Sequence, residues 1–486
     1  MAKLPQQLMP YADRNQFAVE IYLPTGTDVK QTAEIADSLE HILRQDNRVV
    51  SVASFKGCAS PRFQTTYAPQ IAGTNFAQFI VNTTGVEETV TLLNEYAPRY
   101  TDYFPNARIR FKQLSYNEAV YPIEIRLSGD DREAIKKDAD SIKTILQGIL
   151  GLILVQTDQN EPLAASDIIL REDEASRLGI SNLNIETTLA MRYGSGIPLT
   201  DMWEGDYAIP VVLKSEKSDS ASLTDLQNEL IPVAGGASYV PLRQIADVIP
   251  AWKESQIIRR NGICTLTIMA EVERGRNTME AMSLVQQKMS SFHFSPGVSM
   301  NYGGDYEDSA EKMPPVMAGL MVAAVVIFFI LVIHFHKVNI ATLIFSNMTL
   351  CLFGTAVGIL IQGVDFSITC VLGIVSLMGI IVRNGIIMID YVEELRVTEG
   401  MSASDAIYHS ARRRMRPIFL TSAAASMGVI PMILGKSGLW MPMGTVICYG
   451  TLITMVFLLT VLPCAYLLIF RGSSRKRLQA ASLEKQ

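Results

Sequence analysis

The sequence predicts an α+β globular part followed by an all-α bundle of five transmembrane helices. The 486-residue chain is 49% hydrophobic, and its mean hydropathy of +0.21 is too high for an ordinary soluble protein of this length. Charged and apolar stretches alternate through residues 1–312, whereas residues 314–470 carry few charges and the chain as a whole has a net charge of −6. A membrane domain is therefore expected to begin near Met313.

Five apolar runs in the second part are each long enough to cross a membrane. A helix needs about 20 residues to span roughly 30 Å of hydrocarbon. The predicted spans are residues 316–333, 339–361, 366–391, 417–434 and 445–470. Five buried helices of a large soluble protein are the disfavoured alternative, because so many consecutive apolar runs are hard to cover.

Basic residues mark alternate loops of the predicted bundle. They occur in residues 334–337, in residues 396–416 with the run RRRMR, and in the tail 471–477, whereas the other loops carry only Lys436. The positive-inside rule places the basic set in the cytoplasm. An odd number of spans then places residues 1–312 on the opposite side, which is the periplasm in a bacterium with two membranes.

The first residues do not explain how such a domain is exported. Export requires a signal peptide or a preceding membrane helix, yet MAKLPQQLMPYADRNQ contains no apolar stretch. We therefore expect the missing helices either upstream in a longer chain or in a separate half that assembles with this one.

The globular part repeats a βαβ pattern. Phe17, Val19 and Ile21 alternate as in a half-buried strand, and a helix is expected from near Asp28. A second copy covers about 123–155 and resumes at about 266–302, so the residues between form an insertion. The predicted domains are 1–118, then 119–171 with 257–312, the insertion 172–256, the membrane domain 313–471 and a tail 472–486.

Metal, phosphate and disulfide chemistry find little support in the sequence. Cys58 and Cys264 are the only cysteines of the exported part, and two free thiols are favoured over a disulfide. No histidine combines with a cysteine in a metal-ligand spacing. Residues 435–437 (GKS) resemble the end of a P-loop, but the first glycine would fall at Ile430. We therefore expect no metal, no nucleotide cofactor and no nucleic-acid partner.

A single arginine interrupts the third apolar run, in GIIVRNGIIMIDY at residues 379–391. On a helix, Ser376, Gly379, Arg383 and Asp390 fall within about 60° of one another, so this face is expected to avoid lipid. A mid-membrane arginine costs about 2.5–3.5 kcal/mol on insertion scales. Asp390 lies roughly 10 Å further along the same helix, too far for contact. The counter-charge is therefore expected from helices outside this chain; snorkelling or bonding to carbonyls is the alternative.

Two membrane segments resemble a known family. GIVSLMGIIVRNGIIMIDYVEELR (373–396) and AIYHSARRRMRPIFLTSAAASMGVIPMIL (406–434) resemble the tenth and eleventh membrane helices of resistance-nodulation-division (RND) multidrug efflux permeases of the hydrophobe/amphiphile type. FAVEIYLPTGTDVKQT (17–32) and IIRRNGICTLTIMAEV (257–272) are similar to the third and fourth porter subdomains. The resemblance covers nearly the whole chain and corresponds to the C-terminal half of such a permease, without its first seven membrane helices.

The resemblance implies a mechanism. Family members are transporters rather than enzymes, and they use the proton-motive force without a cofactor. Arg383 matches the relay lysine that pairs with aspartates of the missing N-terminal half, although an arginine cannot plausibly deprotonate. Thr421 matches the relay threonine, Asn384 the asparagine beside the relay lysine, and Arg414 a cytoplasm-side arginine proposed to exchange protons. Asp390 on the same helix is counted with this proton relay.

The resemblance also implies partners and a location. It implies a homotrimer in the bacterial inner membrane, surrounded by membrane lipid, with a periplasmic N-terminal domain and a cytoplasmic C terminus. A periplasmic adaptor protein and an outer-membrane channel protein are its expected partners, and drugs or other amphiphilic small molecules its expected cargo.

Within the exported part, the resemblance implies periplasmic porter subdomains built from ferredoxin-like βαβ repeats, with an inserted docking domain whose hairpin lies in residues 192–213. The loop 56–73 is expected to follow the substrate path. Phe63, Tyr67 and Phe76 are candidate substrate contacts, although plain packing explains them equally well.

Two other functions remain open at this point. A protein- or lipid-exporting relative of the same superfamily would share the proton relay. A non-transporting, membrane-anchored periplasmic binding or sensor protein would explain a large exported domain, but it would not require Arg383.

Overall fold

The computed structural model describes residues 7–68, 73–159, 161–194, 196–215, 222–233 and 238–483, with side chains described as far as residue 470. A strand-rich globular part precedes five long apolar helices. The predicted fold class is therefore confirmed.

The first globular region is a four-stranded sheet with two helices. Its elements are β1 (Gln16–Tyr22), α1 (Val29–Arg44), β2 (Val49–Lys56), β3 (Phe76–Thr83), α2 (Val86–Tyr100) and β4 (Arg108–Gln113). All pairs are antiparallel in the order β2-β3-β1-β4. Alternate residues of β1, such as Phe17 and Val19, pack against Leu39 of α1 and Leu92 of α2. As predicted, α1 begins after Asp28, whose side chain accepts a hydrogen bond from the Lys30 backbone N–H.

The elements of residues 119–304 follow in chain order. They are β5 (Ile123–Ser128), α3 (Arg132–Gln147), β6 (Leu152–Thr157), β7 (Leu163–Leu170), α4 (Glu172–Arg177), α5 (Asn182–Tyr193), β8 (Ile197–Glu204), β9 (Tyr207–Leu213), α6 (Leu223–Gln227), β10 (Leu230–Pro232), β11 (Tyr239–Pro241), α7 (Leu242–Ile245), β12 (Ala246–Lys253), β13 (Arg259–Arg260), β14 (Ile263–Val272), α8 (Thr278–Met289) and β15 (Ser299–Gly304).

The second sheet repeats the topology of the first. Its strands pair antiparallel in the order β6-β14-β5-β15, and β13 adds a short pairing with β14. Ile125 of β5 and Ile268 of β14 are fully buried against Ile142 of α3 and Val285 of α8. The two halves of this sheet are separated in sequence by the insertion, as the βαβ pattern indicates.

A separate compact unit comprises residues 24–26 and 159–257. The sequence placed the start of the insertion at residue 172, but β7 already pairs with β12 along its whole length, which draws the unit's start back to Gln159. Its core forms around Ile185, Ile231 and Leu242. The hairpin β8–β9 exposes every residue of β9.

Five helices form the C-terminal bundle. They are α9 (Asp305–Phe335), α10 (Val338–Gln362), α11 (Ile368–Thr398), α12 (Ala403–Leu434) and α13 (Trp440–Leu483). Each contains an apolar window long enough to cross a membrane. Burial within the chain differs, since α10 and α11 are the most buried and α9 is the least buried.

The fourth membrane helix is longer than the sequence analysis expected. The predicted span began at Pro417, but α12 begins at Ala403 and continues through that proline. Ser402 caps its first turn by accepting a hydrogen bond from the Asp405 backbone N–H. Arginine is a good helix former, so the basic run 412–416 extends the helix instead of forming a loop.

Candidate functional site

One strip of α11 carries the polar residues that the sequence analysis grouped together. Ser376, Gly379, Arg383 and Asp390 are all exposed, whereas the residues on the opposite face, such as Leu377, are buried. The helix α11 is therefore packed on one side by its own chain and left uncovered along its polar side.

Arg383 lies in the middle of this uncovered strip. Among the described residues, its guanidinium group forms no hydrogen bond and no ion pair. Asp390 does not serve as its partner, because its carboxylate lies 3.5 Å from His334 Nε2 of α9. An arginine at this depth in an apolar helix needs a carboxylate, a hydrated cavity or a path to the headgroups.

Asn384 points the opposite way, into the bundle. It is 4% exposed, and its Nδ2 donates a hydrogen bond to Ser422 Oγ of α12 at 3.3 Å. Its Oδ1 has no partner among the described residues. Thr421, the neighbour of Ser422, is exposed and donates its hydroxyl to the Ile418 carbonyl at 3.1 Å. The Asn384–Ser422 bond thus joins the two helices that carry Arg383 and Thr421.

Arg414 is placed away from Arg383, at the far end of α11. Its guanidinium carbon lies 4.8 Å from the ring centroid of Tyr391, which is eight residues or about 12 Å beyond Arg383. Arg413 contacts the same tyrosine and donates to its hydroxyl at 2.7 Å. The Nε of Arg414 is buried and has no partner among the described residues.

One buried polar residue of the bundle was not predicted from the sequence. Asn347 of α10 is 4% exposed, and neither of its side-chain polar atoms has a hydrogen-bond partner among the described residues. A lone asparagine in the apolar run IATLIFSNMTLCLFG was the available signal. Such a group is costly in an apolar interior unless water or another chain satisfies it.

The three candidate substrate contacts separate into two places. The rings of Phe63 and Tyr67 lie 4.9 Å apart, whereas Phe76 packs 5.1 Å from Tyr22. Tyr67 is 4% exposed and its hydroxyl donates to Glu20, so it is packed in the protein interior in this conformation, as is Phe76. Residues 69–72 of the same loop and Ser195 of the hairpin segment lie outside the described residues.

A buried ion network that was not predicted from the sequence joins the two sheets. Arg110 of β4 donates to Glu20 of β1 at 3.0 Å and, through Nε, to Glu271 of β14 at 2.6 Å. Its guanidinium carbon lies 3.7 Å from the ring centroid of Tyr121. Burial opposes the charge of Glu20, but attraction to Arg110 outweighs it and keeps the pKa of that carboxyl below its usual value. The network holds the sheets together with its charges satisfied.

A cavity of mixed charge adjoins this network. Its lining includes Lys112, Arg274, Glu271 and Asp305. Burial, reinforced by repulsion from Arg110, lowers the pKa of Lys112 to about 8. The ammonium group donates to the Val120 carbonyl at 3.1 Å. The cavity therefore contains a lysine that can lose its proton near neutral pH.

The cysteines and the possible metal ligands of the described residues were also located. All six cysteines are free, with Cys58 exposed and Cys264 half-buried. Within the described ranges, no group of three or more His, Cys, Asp or Glu side chains is arranged to hold a metal ion.

Comparison with known proteins gives matches over most of the chain. A family model described as the AcrB/AcrD/AcrF family matches residues 1–470. The cobalt-zinc-cadmium resistance protein CzcA of Cupriavidus metallidurans is 24% identical over 97% of this chain and 45% of its own length. Protein HelA of Legionella pneumophila is 25% identical over 97% of this chain and 46% of its own.

Two further matches concern a different bacterium and a solved structure. The swarming motility protein SwrC of Bacillus subtilis is 25% identical over 72% of this chain and 33% of its own length. The crystal structure of a heavy metal efflux pump matches with a TM-score of 0.80 at 22% identity, over 96% of this chain and 48% of the pump. CzcA, HelA and the heavy metal efflux pump each match nearly all of this chain. The chain thus spans about half the length of these three proteins.

Proposed function

This chain belongs to the AcrB/AcrD/AcrF family of RND permeases, and we propose that it works as the C-terminal half of a proton-driven efflux permease. The observation that carries the proposal is the uncovered strip of α11, where Arg383 has no partner among the described residues. A cation in that position needs a carboxylate, a hydrated cavity or a path to the headgroups, and the proposal is that another helix supplies a carboxylate.

The proposed energy source is the protonation of a carboxylate that faces Arg383. A guanidinium group stays charged at any physiological pH, so the proton must be carried by the partner and not by Arg383. Each proton that crosses the membrane releases about 2.3 kcal/mol per 100 mV, before any pH gradient is added. Protonation neutralises the carboxylate and releases Arg383, which allows α11 to change its position relative to the partner helix.

The positions of the other predicted relay residues support a part in proton transfer to different degrees. Asn384 fits best, because its bond to Ser422 ties α11 to α12 and its Oδ1 is free to accept from water. Thr421 fits through its exposed position on α12. Arg414 and Asp390 lie nearer the other end of α11 and are proposed only for proton exchange with the cytoplasm.

The assembly and orientation are part of the proposal. We place residues 7–304 in the periplasm of a bacterial inner-membrane homotrimer, in complex with an adaptor protein and an outer-membrane channel. The orientation is supported by the basic residues, which cluster beside alternate ends of the apolar segments, including the run 412–416 at the start of α12. The β8–β9 hairpin supports the trimer, because it exposes large apolar side chains, among them Leu199, Trp203 and Tyr207.

The first candidate cargo is an amphiphilic organic compound, which the motifs around Arg383 favour through their resemblance to drug-exporting permeases. A second candidate is a divalent metal cation, because the relative CzcA is named for resistance to cobalt, zinc and cadmium. Cells that carry the complete permease are expected to gain resistance to bile salts and dyes under the first reading. Under the second they gain resistance to these metals and not to the amphiphiles.

Transport by reconstituted vesicles tests the proposal. The chain is produced together with an N-terminal half, and proton influx and cargo movement are measured under an imposed pH gradient. Arg383→Ala should abolish both fluxes, whereas Arg383→Lys should retain part of them. Arg412→Ala, an exposed arginine at the start of the basic run, is the control and should transport normally. Normal transport by Arg383→Ala, or efflux by this chain alone, contradicts the proposal.

A further inference from the structure

We propose that residues 7–13 form a strap that couples the membrane helices α11 and α12 to the first sheet, with Asp13 as a positioning residue for transport. The inference rests on the proposed function and adds to it the route by which movement in the membrane reaches the globular part. It is carried by contacts from this one segment to two helix-connecting loops and to the sheet.

The strap first contacts the loop that leads into α11. Gln7 N–H donates to the Phe366 carbonyl at 3.1 Å, and the Ile368 N–H donates to the Leu8 carbonyl at 3.2 Å. Ile368 is the first residue of α11, so this bond satisfies one of the amides that a helix leaves unpaired at its start. Leu8 is 4% exposed. The strap is therefore fixed to the start of the helix that carries Arg383.

Its other end contacts the loop between α12 and α13. The Asp13 carboxylate accepts hydrogen bonds from the Gly438 N–H at 3.0 and 3.2 Å and from Ser437 Oγ at 2.6 Å. Gly438 is closely packed, since a Cβ there would lie 3.2 Å from Pro10 Cβ and 3.4 Å from the Tyr11 carbonyl oxygen. This loop follows the last residue of α12, the helix that carries Thr421.

The strap is also bonded to the first sheet. Ala12 N–H donates to the Leu114 carbonyl at 2.8 Å, and Tyr116 N–H donates to the Pro10 carbonyl at 3.4 Å. Leu114 directly follows β4, and β1 begins three residues after Asp13. Ala12 and Leu114 are both nearly inaccessible to solvent. A displacement of the strap therefore acts on the edge strand β4 and on the central strand β1.

These contacts make the strap a second connection between bundle and sheets, besides the covalent passage from β15 into α9. The helix α9 is the least buried of the five and carries none of the relay residues. The strap instead contacts the start of α11 and the loop that follows α12. A shift of α11 or α12 that follows protonation is thus transmitted through hydrogen-bonded backbone to the sheet that carries Arg110 and Glu20.

The test measures cargo moved per proton in vesicles that contain the complete permease. Asp13→Ala removes the carboxylate that bonds Ser437 and Gly438. We expect it to lower the ratio of cargo to protons by about fivefold or more, which is the lower range of coupling between linked sites, while proton influx persists. Asp13→Asn keeps one acceptor oxygen and should lie between Asp13→Ala and the unmodified protein. Asp130→Ala, an exposed aspartate in the turn before α3, should leave the ratio unchanged.

A second variant guards against a simple folding defect. Gly438→Ala forces the loop away from Pro10 while keeping the Asp13 carboxylate, and we expect the same fall in the ratio. The proposed coupling role of the strap is contradicted if the ratio of cargo to protons stays normal in Asp13→Ala and Gly438→Ala. It is also contradicted if cargo movement and proton influx fall in proportion, as a purely structural role requires. Normal transport by Arg383→Ala, in contrast, contradicts the proposed function itself. The two failures are therefore distinguishable.

Discussion

Two arginines show how differently the globular part and the bundle complete their interactions. Arg110 is 3% exposed and is held by Glu20 at 3.0 Å and Glu271 at 2.6 Å, both within the same chain. Arg383 lies in an apolar helix, is exposed, and has no partner among the described residues. The first arginine belongs to a region that folds with its charges satisfied. The second belongs to a helix where no carboxylate of the described residues pairs with it.

Buried polar atoms without a hydrogen bond follow the same division. Of the eleven buried side-chain nitrogen and oxygen atoms without a hydrogen bond in the described part of the chain, six lie in the bundle, on Asn347, Thr355, Asn384, Arg414 and Thr445. The bundle is much the smaller region, so its density of unsatisfied groups is higher. We infer that water or further helices satisfy these groups in the assembled protein.

The largest effect is expected at Arg110, whose charge is paired with two carboxylates within the chain. Arg110→Met leaves the buried Glu20 and the half-buried Glu271 without their shared guanidinium partner and should destabilise the contact between the sheets by about 3–5 kcal/mol. Hydrogen exchange of peptides from β1, β4 and β14 measures this as lost protection. Arg48→Met is the matched control, because Arg48 also bonds two carboxylates, Asp46 and Glu95, but nearer the solvent, with 30% of its side chain exposed; it should cost about 1 kcal/mol or less. Equal losses in the two variants contradict the account.

The next effect is a pH dependence caused by Lys112. Its pKa of about 8 in the folded protein is below the 10.5 of a free lysine. Below pH 8 both states are protonated and the folded state bears the full penalty of the buried charge. Between pH 8 and 10.5 the folded state releases its proton first, so the free energy of unfolding should rise, by at most about 3 kcal/mol at roughly 1.4 kcal/mol per pKa unit.

Urea unfolding of the detergent-solubilised chain at pH 7.5 and pH 10 measures that rise. Other groups titrate in the same range, so the informative quantity is the difference between the unmodified chain and Lys112→Met. The variant should lack the lysine's share of the increase. An identical pH dependence in both proteins shows that Lys112 is not the group responsible.

A smaller effect of opposite sign is expected at Asn347. Replacing this unsatisfied asparagine by leucine, Asn347→Leu, removes two unbonded polar atoms and should stabilise the isolated chain by about 1–2 kcal/mol. Thermal unfolding in detergent measures the change. Asn384→Leu is the control, because it also breaks the bond to Ser422 and should gain less. Destabilisation by Asn347→Leu would mean that a bound water already satisfies the asparagine.

The smallest effect is expected at Arg383 in the chain alone. Arg383→Ala removes an exposed side chain that has no hydrogen bond or ion pair within the described residues, so the free energy of unfolding should change by no more than about 0.5 kcal/mol. The same substitution in the complete permease should abolish transport. A strong destabilisation of the isolated chain would reveal an intrachain partner and would remove the contrast with Arg110.

Local patterns were sufficient to predict most elements of the fold. Alternation in β1, the cap at Asp28 and the five apolar runs each depend on neighbouring residues, and each is present in the structure. The compact unit begins at Gln159, ahead of the predicted insertion, because it includes β7, which is recognised only by its pairing with β12 about 80 residues later. The start of α12 was missed because proline was given more weight than the helix-forming arginines before it.

The candidate site was predictable only where a charge conflicts with its surroundings. Arg383 stands out in an apolar run, and the shared face of Ser376, Gly379 and Asp390 follows from helical periodicity alone. Arg110 could not be recognised in the same way. Its partner Glu271 is 161 residues away, and a charged residue that alternates along a strand usually faces water. The strap likewise depends on contacts between residues more than 400 positions apart.

The central claim is that a carboxylate from outside this chain pairs with Arg383 and releases it on protonation. The most direct measurement is the distance from the Arg383 guanidinium nitrogens to the nearest carboxylate oxygen in structures of the complete permease at pH 7.5 and at pH 5. We expect a contact of about 4 Å or less at the higher pH, as in any ion pair, and its loss in protomers at the lower pH. A side chain that extends to headgroups or bulk water at both pH values, with no carboxylate beside it, would contradict the account.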